Sequence, residues 1–382
     1  MRFKSFDYTL IVVPLLLAIF GVVMIYSASI YSSVELYGVK SEHFFSRQLI
    51  SLTIGVFAFA FFANFNYKHY KSNILQIPMV IGMILVLIAV EQFGTVVNGS
   101  VRWFKLGSFT VQPTEFVKLG LILYMASVFH KKQRYIDEIN RALMPPVIVL
   151  LCCVLLIMRQ PDWGTAGIML VASFFVILSS GMNWRKISLL LAILMVCIMT
   201  FATLAIKYPD TIFSEGKTKR FIGFLQPFET EQQEGYHVVG SLIAIGSGKM
   251  TGTGFAQSTQ KYGYLPEVHT DSIIAIIAEE FGFIGVAGVL ACLGFIVLKG
   301  ILIATRCKDP FGSMLAIGIS STIGFQAFVN LGGMTSMLPI TGVTLPLVSY
   351  GGTSLILTFI SIGILVNISM QTEGKRLMAE AS

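Results

Sequence analysis

Charged residues are scarce in this chain. Only 12% of its 382 residues are Asp, Glu, Lys or Arg, while 55% are hydrophobic. A soluble domain carries about 25% charged residues, so this shortage excludes a large water-soluble globular protein. The composition instead predicts a polytopic membrane protein.

Cysteine is also scarce, and none of it lies in a loop where a partner could meet it. The five cysteines are in or at the ends of apolar runs: Cys152, Cys153, Cys197, Cys292 and Cys307. We therefore expect small packed side chains rather than a disulfide framework or a zinc site. Internal repeats, low-complexity tracts and a cleavable signal are absent from the sequence as well.

Ten apolar runs are long enough to cross about 30 Å of hydrocarbon as helices. They cover residues 8–29, 44–64, 74–90, 111–129, 143–158, 165–180, 187–206, 272–303, 311–331 and 354–370. The eighth run is too long for one straight crossing, so we expect its first turns to lie outside the membrane or to tilt strongly. The predicted fold is an all-α polytopic membrane protein with about ten transmembrane helices, in a single domain over residues 1–382.

The distribution of Lys and Arg among the short loops predicts the orientation. One side collects most of these cations, including both terminal segments, whereas the short loops of the other side hold few. Both termini are therefore expected in the cytoplasm. The long segment 206–270, between the seventh and eighth runs, is expected outside. Since this segment is the large polar part of the chain, chemistry is expected at the outer face.

Asp271 is the strongest single candidate for that chemistry. It follows a glycine-rich, basic loop and stands at the start of the eighth apolar run. A lone Asp at a helix start is usually a cap. Here Glu279 falls two turns below on the same helix face, so a polar line enters the membrane. Glu279 and Glu280 are expected to need partners in the protein interior, because ionisable groups inside a span are costly.

Two short outer segments carry further candidates. Trp103 stands between Arg102 and Lys105, which is typical of a headgroup anchor or of a platform for a sugar or lipid headgroup. Arg159 begins a turn that contains Asp162, the expected cap of the sixth run. A snorkelling role for Arg159 and a contact to phosphate both fit the sequence.

Polar groups inside the predicted spans form a second set. Glu115 and Lys118 are one turn apart in the fourth run, so they can pair, and we favour structural support for the site. The segment 332–353 is long, apolar and broken by Pro and Gly, which predicts a re-entrant or cavity-lining loop. Asn330 and Gln326 could point their amides into the same cavity.

The glycine-rich part of the long outer segment has two readings. Gly246, Gly248, Gly252 and Gly254, with Lys249 among them, could hold a phosphate through backbone N–H groups. The pattern matches neither the P-loop nor the dinucleotide fingerprint. Turn glycines alone would also explain it.

Taken together, six stretches resemble the SEDS family, the shape, elongation, division and sporulation proteins of bacteria. The stretches are 98–107, 112–119, 160–165, 235–248, 265–282 and 338–352, in family order across almost the whole chain. The resemblance implies a peptidoglycan glycosyltransferase of the bacterial cytoplasmic membrane that polymerises lipid II at the outer face. It also implies a class B penicillin-binding protein, a transpeptidase, as partner. Residues 257–266 resemble the FtsW-like division or sporulation branch, although 235–237 resemble the RodA branch.

By this resemblance Asp271 matches the essential aspartate of the family. Its role would be that of a general base, which takes the proton of the acceptor sugar hydroxyl in a single inverting displacement. The leaving lipid pyrophosphate needs cations or a divalent metal, Mg or Mn, whose ligands the sequence leaves unknown. The cations available in the sequence are Arg102, Lys105, Lys217, Lys219, Arg220, Lys249 and Lys261. The residues expected to bind substrate are Arg102, Trp103, Lys105, Glu115, Lys118, Arg159, Lys249, His269, Asn330 and Ser349.

The expected partners are the transpeptidase, lipid II, membrane lipid and other proteins of a division or elongation complex, with no nucleic acid. Two alternatives stay open. A lipid II flippase or other transporter fits the polar spans, but inverted repeats and paired broken helices are not evident in the sequence. A non-catalytic scaffold for a transpeptidase would leave Asp271 and the cationic loop unexplained.

Overall fold

The computed structural model of the protein describes residues 7–97, 100–107, 109–188, 199, 223–230, 233 and 235–381. The α-helices in this part of the chain are α1 Thr9–Tyr31, α2 His43–Asn64, α3 Asn73–Phe93, α4 Pro113–Lys131, α5 Met144–Arg159, α6 Trp163–Leu178, α7 Tyr236–Gly248, α8 Ile273–Arg306, α9 Pro310–Met334 and α10 Gly352–Ala381. Short π-helical turns, Ser32–Leu36 and Ile139–Leu143, and 3₁₀ turns, Tyr67–Lys71 and Gln133–Tyr135, lie between them.

Within the described residues, seven helical segments are long and apolar enough to cross a membrane. They are Thr9–Leu36, His43–Asn64, Asn73–Phe93, Ile139–Arg159, Ile273–Arg306, Pro310–Met334 and Gly352–Gly374. The predicted fourth and sixth runs are also helical, as α4 and the 16-residue α6. Most of the predicted seventh run, 187–206, falls outside the described residues. A predominantly helical, polytopic membrane protein is therefore confirmed.

A small antiparallel sheet between α3 and α4 departs from the all-α prediction. Its strands are β1 Thr95–Val97, β2 Ser100–Leu106 and β3 Phe109–Val111, in the order β1-β2-β3. β2 pairs with β1 through Val96↔Val101 and with β3 through Lys105↔Thr110. The strands are rich in β-branched and aromatic residues, which favour a pleated surface over a helix.

The described helices pack around a shared hydrophobic core. α10 packs most extensively on α2, α9 packs on α8 and α6, and α7 packs on the first part of α8. Fully buried side chains such as Met24, Leu87 and Phe129 fill this core. Large apolar side chains on the outer surface, such as Phe57 on α2, are exposed, as expected for a surface that faces lipid.

The cysteines in the described part of the chain are free. Cys153 is buried, Cys152 is exposed, and Cys292 and Cys307 are intermediate. None of these four forms a disulfide, as expected, but the expectation of a packed side chain is wrong for the exposed Cys152. Cys197 lies outside the described residues.

The eighth helix is broken rather than simply tilted. At Gly282 the backbone takes φ 65° and ψ −163°, which is outside the helical range. Residues 273–280 before the break are all buried, whereas Phe283 and Ile284 after it are exposed. The predicted departure from one straight crossing is therefore correct, and its cause is this break. Asp271 stands just before the buried half of the helix.

Candidate active site

Asp271 lies in a tight turn that leads into α8. The N–H groups of Thr270 and Ser272 both donate to the carbonyl of Glu267, at 3.1 and 3.2 Å. Glu267 itself has a positive φ of 50°, which such a turn requires. Ser272 occupies the N-cap position of α8, and its own side chain makes no capping hydrogen bond. Asp271 immediately precedes this position.

Polar atoms surround the Asp271 side chain, which is only 6% exposed. The Thr270 hydroxyl lies 2.7 Å from Oε2 of Glu267 and 3.3 Å from Oδ1 of Asp271. Gly342 faces the other oxygen, because a Cβ added there would lie 4.0 Å from Oδ2 of Asp271. The carboxylates of Glu267 and Asp271 thus both lie within hydrogen-bond distance of one hydroxyl, just before α8 begins. Such an arrangement is suited to holding a proton acceptor in a fixed orientation.

Asn330 on α9 binds the backbone of Asp271 itself and the backbone of the segment that follows α9. Its amide nitrogen donates to the carbonyl of Asp271 and to the carbonyl of Val343, each at 2.8 Å. The side chain is 3% exposed, and its Oδ1 has no hydrogen-bond partner among the residues that the structure describes. Asn330 therefore ties the turn of Asp271 to the segment that follows α9.

That segment, residues 335–351, is non-helical, as the sequence predicted, and its residues 345–349 are buried. Gln326 donates to the carbonyl of Thr344 at 2.9 Å. Gln48 donates to the carbonyl of Ser349 at 3.2 Å, and the Ser349 hydroxyl accepts from the N–H of Leu345 at 2.8 Å. Side-chain amides thus bond to carbonyl groups that would accept from N–H groups of the backbone in a helix.

The predicted pair in α4 exists and is buried. Lys118 Nζ lies 2.8 Å from Oε1 of Glu115 and donates to Oε1 of Gln326 at 2.9 Å. Both charged side chains are less than 10% exposed. They line a cavity of about 30 Å³ with Thr322 and Ser361. Through Gln326, the pair supports the 335–351 segment rather than an exposed surface.

His269 is buried among aromatic rings. Its ring centroid lies 4.2 Å from that of Phe44 and 5.6 Å from that of Tyr350. Its carbonyl accepts from the N–H of Tyr350 at 2.8 Å. Burial lowers the pKa of His269 to about 4, although Glu267 opposes this shift, so the ring is neutral at pH 7. His269 therefore acts on the site by packing and through its backbone.

The cations predicted to meet phosphate fall into two groups. Arg102 on β2 binds other residues of the protein. Its Nε donates to the carbonyl of Gln160 at 3.0 Å, and a second nitrogen donates to the carbonyl of Pro161. Its Nη1 lies 3.6 Å from Oδ1 of Asp162. Asp162 accepts from the N–H of Thr165, which confirms its predicted capping role.

Exposed cations form the second group. Lys105 lies on β2 beyond the half-buried Trp103, and Lys249 follows the end of α7. Arg159 is exposed as well and pairs with Glu91 at 2.8 Å. Lys217, Lys219 and Arg220 lie outside the described residues. Lys261 is not available to a ligand, because it is 3% exposed and paired with Glu280.

The glycine-rich phosphate cradle is contradicted by the structure. The N–H groups of Gly252, Thr253 and Gly254 already donate to the carbonyls of Gly248, Glu279 and Glu280. The N–H groups of Thr253 and Gly254 are occupied because the break in α8 leaves the carbonyls of Glu279 and Glu280 without donors from their own helix. The expected interior partners of Glu279 and Glu280, by contrast, are present.

One contact of the site gave no signal in the sequence. The Ser272 hydroxyl lies 3.0 Å from the carbonyl oxygen of Pro266 and 2.6 Å from Nε2 of His237, within hydrogen-bond distance of both. The contact with His237 ties α7 to the turn that holds Asp271. The pairing of residues so far apart in sequence could be found only with the fold in hand.

Comparison with known proteins gives two kinds of match. A family model described as "Cell cycle protein", FTSW_RODA_SPOVE, matches residues 7–374. The chain is 46% identical over 367 residues to a Bacillus subtilis (strain 168) protein described as a probable peptidoglycan glycosyltransferase FtsW, covering 96% of this chain and 91% of that one. It is 36% identical over 365 residues to stage V sporulation protein E of the same strain, covering 95% and 96%.

Solved structures show the same fold. A chain from work described as the structural coordination of polymerization and crosslinking by a peptidoglycan synthase complex matches with a TM-score of 0.76 and 26% identity, covering 96% of this chain and 98% of that one. The rod shape determining protein RodA of Thermus thermophilus matches with a TM-score of 0.67 and 26% identity, covering 95% and 96%.

Proposed function

Because the chain belongs to the FtsW, RodA and SpoVE family of cell cycle proteins, we infer that it is a peptidoglycan glycosyltransferase. The resemblance read from the sequence is thereby confirmed. The observation that carries the enzyme assignment is the match over nearly the whole chain to relatives with this activity in their names. We further propose that the substrate is lipid II and that the glycan strand is made at the outer face of the cytoplasmic membrane.

We propose that Asp271 is the general base of the reaction. It takes the proton of the acceptor sugar hydroxyl while that oxygen attacks the anomeric carbon of the donor. The bond from this carbon to the lipid pyrophosphate breaks in the same step, and the configuration inverts. The buried turn, the shared Thr270 hydroxyl and the Asn330 bond support this role, because each restricts the orientation of Asp271.

The other predicted site residues divide by their exposure. We propose that Trp103, Lys105 and Lys249 meet the sugar or pyrophosphate directly, because they are reachable from outside. Arg159 would join them only by releasing Glu91. Five buried residues and the partly buried Arg102 would support the site through the backbone or through each other; the five are Glu115, Lys118, His269, Asn330 and Ser349.

A divalent cation, Mg or Mn, belongs to the proposal as a companion of the substrate. Among the described residues, no group of three His, Cys, Asp or Glu side chains could hold a metal ion. Mg²⁺ commonly binds through one or two carboxylates with waters and substrate phosphates. The carboxylates of Asp271 and Glu267, which share a hydroxyl, suit that kind of binding, and the ion would neutralise charge on the pyrophosphate.

We also propose the finer topology and the partners. About ten transmembrane helices place both termini in the cytoplasm and residues 206–270 outside, in a single domain. A class B penicillin-binding protein would crosslink the strands that this chain makes. The similar structure that joins polymerization with crosslinking supports this pairing. The similarity to FtsW and to a sporulation protein favours a division or sporulation complex.

A lipid II transporter is the second candidate, because α8 is broken and discontinuous helices line the sites of many transporters. One experiment separates the two. The purified protein and its transpeptidase partner, placed in vesicles, are given labelled lipid II. The enzyme lengthens the label into glycan chains. Movement of unlengthened label across the vesicle would support the transporter, and neither result would support a scaffold.

A further inference from the structure

The break in α8 leaves backbone groups that an outer segment supplies with partners. In a continuous helix the N–H groups of Phe283 and Ile284 would donate to carbonyls four residues earlier. Here they donate to the carbonyls of Lys249 and Met250, at 2.9 and 3.2 Å. Gly282 makes this approach possible, because it has a φ of 65° and a Cβ there would lie 2.5 Å from the carbonyl oxygen of Met250.

The same segment takes up the other half of the broken bonds. The carbonyls of Glu279 and Glu280, which Phe283 and Ile284 would have used, accept from the N–H groups of Thr253 and Gly254 at 2.9 and 3.0 Å. Residues 249–254 therefore replace two consecutive helical hydrogen bonds: their carbonyls accept from the N–H groups after the break, and their N–H groups donate to the carbonyls before it. The half-helix 273–281 is joined to the rest of α8 through this segment.

The side chain of Glu279 holds the next part of the segment. Its carboxylate accepts from the N–H and the hydroxyl of Thr259, at 2.9 and 2.8 Å, and from the hydroxyl of Ser258. The N–H of Gln260 lies within 3.4 Å. Glu279 is 1% exposed, so these donors compensate a charge that water cannot reach.

The side chain of Glu280 holds the end of the segment. Lys261 Nζ lies 3.0 Å from Oε1 of Glu280, donates to the Ser27 hydroxyl at 3.1 Å and donates to the carbonyl of Ala256 at 2.7 Å. Ser27, on α1, donates in turn to Oε1 of Glu280 at 2.7 Å. The Lys261 and Glu280 side chains are 3% and 0% exposed. Removing either partner would leave an uncompensated buried charge.

We propose that residues 249–261 form a strap across the break of α8, and that Glu279, Glu280 and Lys261 are positioning residues for Asp271. The inference rests on the proposed function, because it assigns these residues a role in the transfer reaction. The half-helix 273–281 is about 13 Å long at 1.5 Å per residue. A small rotation at the break would therefore displace Asp271 by about 1 Å, and a displacement of that size can cost about 100-fold in rate.

Three variants test the proposal through the rate of glycan polymerisation. Lys261→Met and Glu280→Gln each break the buried pair, whereas Lys261→Arg keeps the charge. The control for position along α8 is Lys299→Met, which breaks a more exposed 2.9 Å pair with Asp7 in the later part of α8. We expect the first two to lower kcat by about 10- to 100-fold with KM for lipid II changed less than about threefold. Lys261→Arg and Lys299→Met should stay close to wild type.

Hydrogen exchange tests the strap without reference to activity. In the wild type, the amides of Phe283 and Ile284 should be protected, and Lys261→Met should increase their exchange at least tenfold while peptides of α9 keep theirs. Unchanged exchange, or an equal loss of kcat in Lys299→Met, would overturn the proposal. If the wild type itself makes no glycan, the proposed function fails, and the exchange result still decides whether the strap exists. Should Lys261→Met not fold, Glu280→Gln, which keeps the shape of the side chain, gives the same comparison.

Discussion

The chain contains two buried asparagines that allow a matched test of the Asp271 turn. Asn330 donates to the carbonyls of Asp271 and Val343, while Asn367 donates to the carbonyl of Ala63 and accepts from the N–H of Tyr67. Both side chains are 3% exposed. Asn367 lies on α10 and bonds to the end of α2 and to the short turn that follows it, at the opposite end of the bundle. The two residues therefore match in burial and differ in place, and Asn367 has one further bond, from Nε2 of Gln371 at 2.9 Å.

We predict that Asn330→Ala and Asn367→Ala lower stability by similar amounts and differ in activity. Each variant removes at least two hydrogen bonds of about 0.5–1.5 kcal/mol, and hence roughly 1–3 kcal/mol of unfolding free energy. Only Asn330→Ala frees the Asp271 turn from the 335–351 segment, so only this variant should lose about 10- to 100-fold in kcat per folded molecule.

The assay is lipid II polymerisation, normalised to the folded fraction from a thermal melt in the same detergent. Equal kcat for the two variants would refute the reasoning that Asn330 orients Asp271 through its backbone. An Asn330→Ala variant with wild-type kcat and reduced stability would lead to the same conclusion, since Asn330 would then be structural only.

Three further outcomes follow from buried contacts. The pKa of His269 falls from 6.5 to about 4 on folding, so the neutral ring's contribution to the unfolding free energy is complete above pH 6.5. As the pH falls to about 4, roughly 3 kcal/mol of that free energy is lost. Thermal melts of His269→Phe should lack this part of the pH dependence. Arg102→Ala should lower the melting temperature by several degrees because two carbonyls and a carboxylate lose a donor, whereas Arg159→Ala, which breaks an exposed pair, should leave it within about a degree. Gly282→Ala should cost at least about 2 kcal/mol because of its positive φ and close backbone contacts, while Gly288→Ala, with open space around it in the same helix, should be neutral or stabilising in chemical denaturation.

The sequence predicted those features of the fold that depend on local periodicity or on the cost of isolated charge. Apolar runs became helices at the expected places wherever the structure describes them. The i, i+3 spacing predicted the Glu115–Lys118 pair, and the cost of buried carboxylates predicted partners for Glu279 and Glu280. These inferences need neighbours in sequence or a burial argument, and both are readable from one chain.

The break of α8 and its strap could not be predicted in the same way. The apolar run resumes after Glu280 and continues past Gly282 to residue 303. The bond from the N–H of Phe283 to the carbonyl of Lys249 joins residues 34 positions apart, which no local pattern reveals. The glycines at 252 and 254 were therefore interpreted as a phosphate cradle, although they lie against the helix. The small sheet was not predicted either, even though the Asn98-Gly99 pair, which follows Val96 and Val97 and precedes Ser100 and Val101, is a typical hairpin signal.

For the candidate site, the sequence singled out Asp271 but not the residues that hold it. Its supporting bonds come from Asn330 on α9 and from the backbone turn at Glu267. Such side-chain-to-carbonyl bonds depend on tertiary packing, so no spacing reveals them. The same limit explains the expectation that Arg102 faces phosphate. Its carbonyl partners are nearly 60 positions away, so the sequence does not show that the guanidinium is already bonded within the protein.

The most direct test of the central claim compares Asp271→Asn with Asp7→Asn in the polymerisation of lipid II by the purified complex. Both changes remove one carboxylate charge with little change of shape, but Asp7 lies at the other end of α8, paired with Lys299. If Asp271 is the general base, Asp271→Asn abolishes glycan chains, by at least about 100-fold in rate, while lipid II still binds and Asp7→Asn polymerises normally. Glycan chains of wild-type length and rate from a folded Asp271→Asn protein would contradict the account.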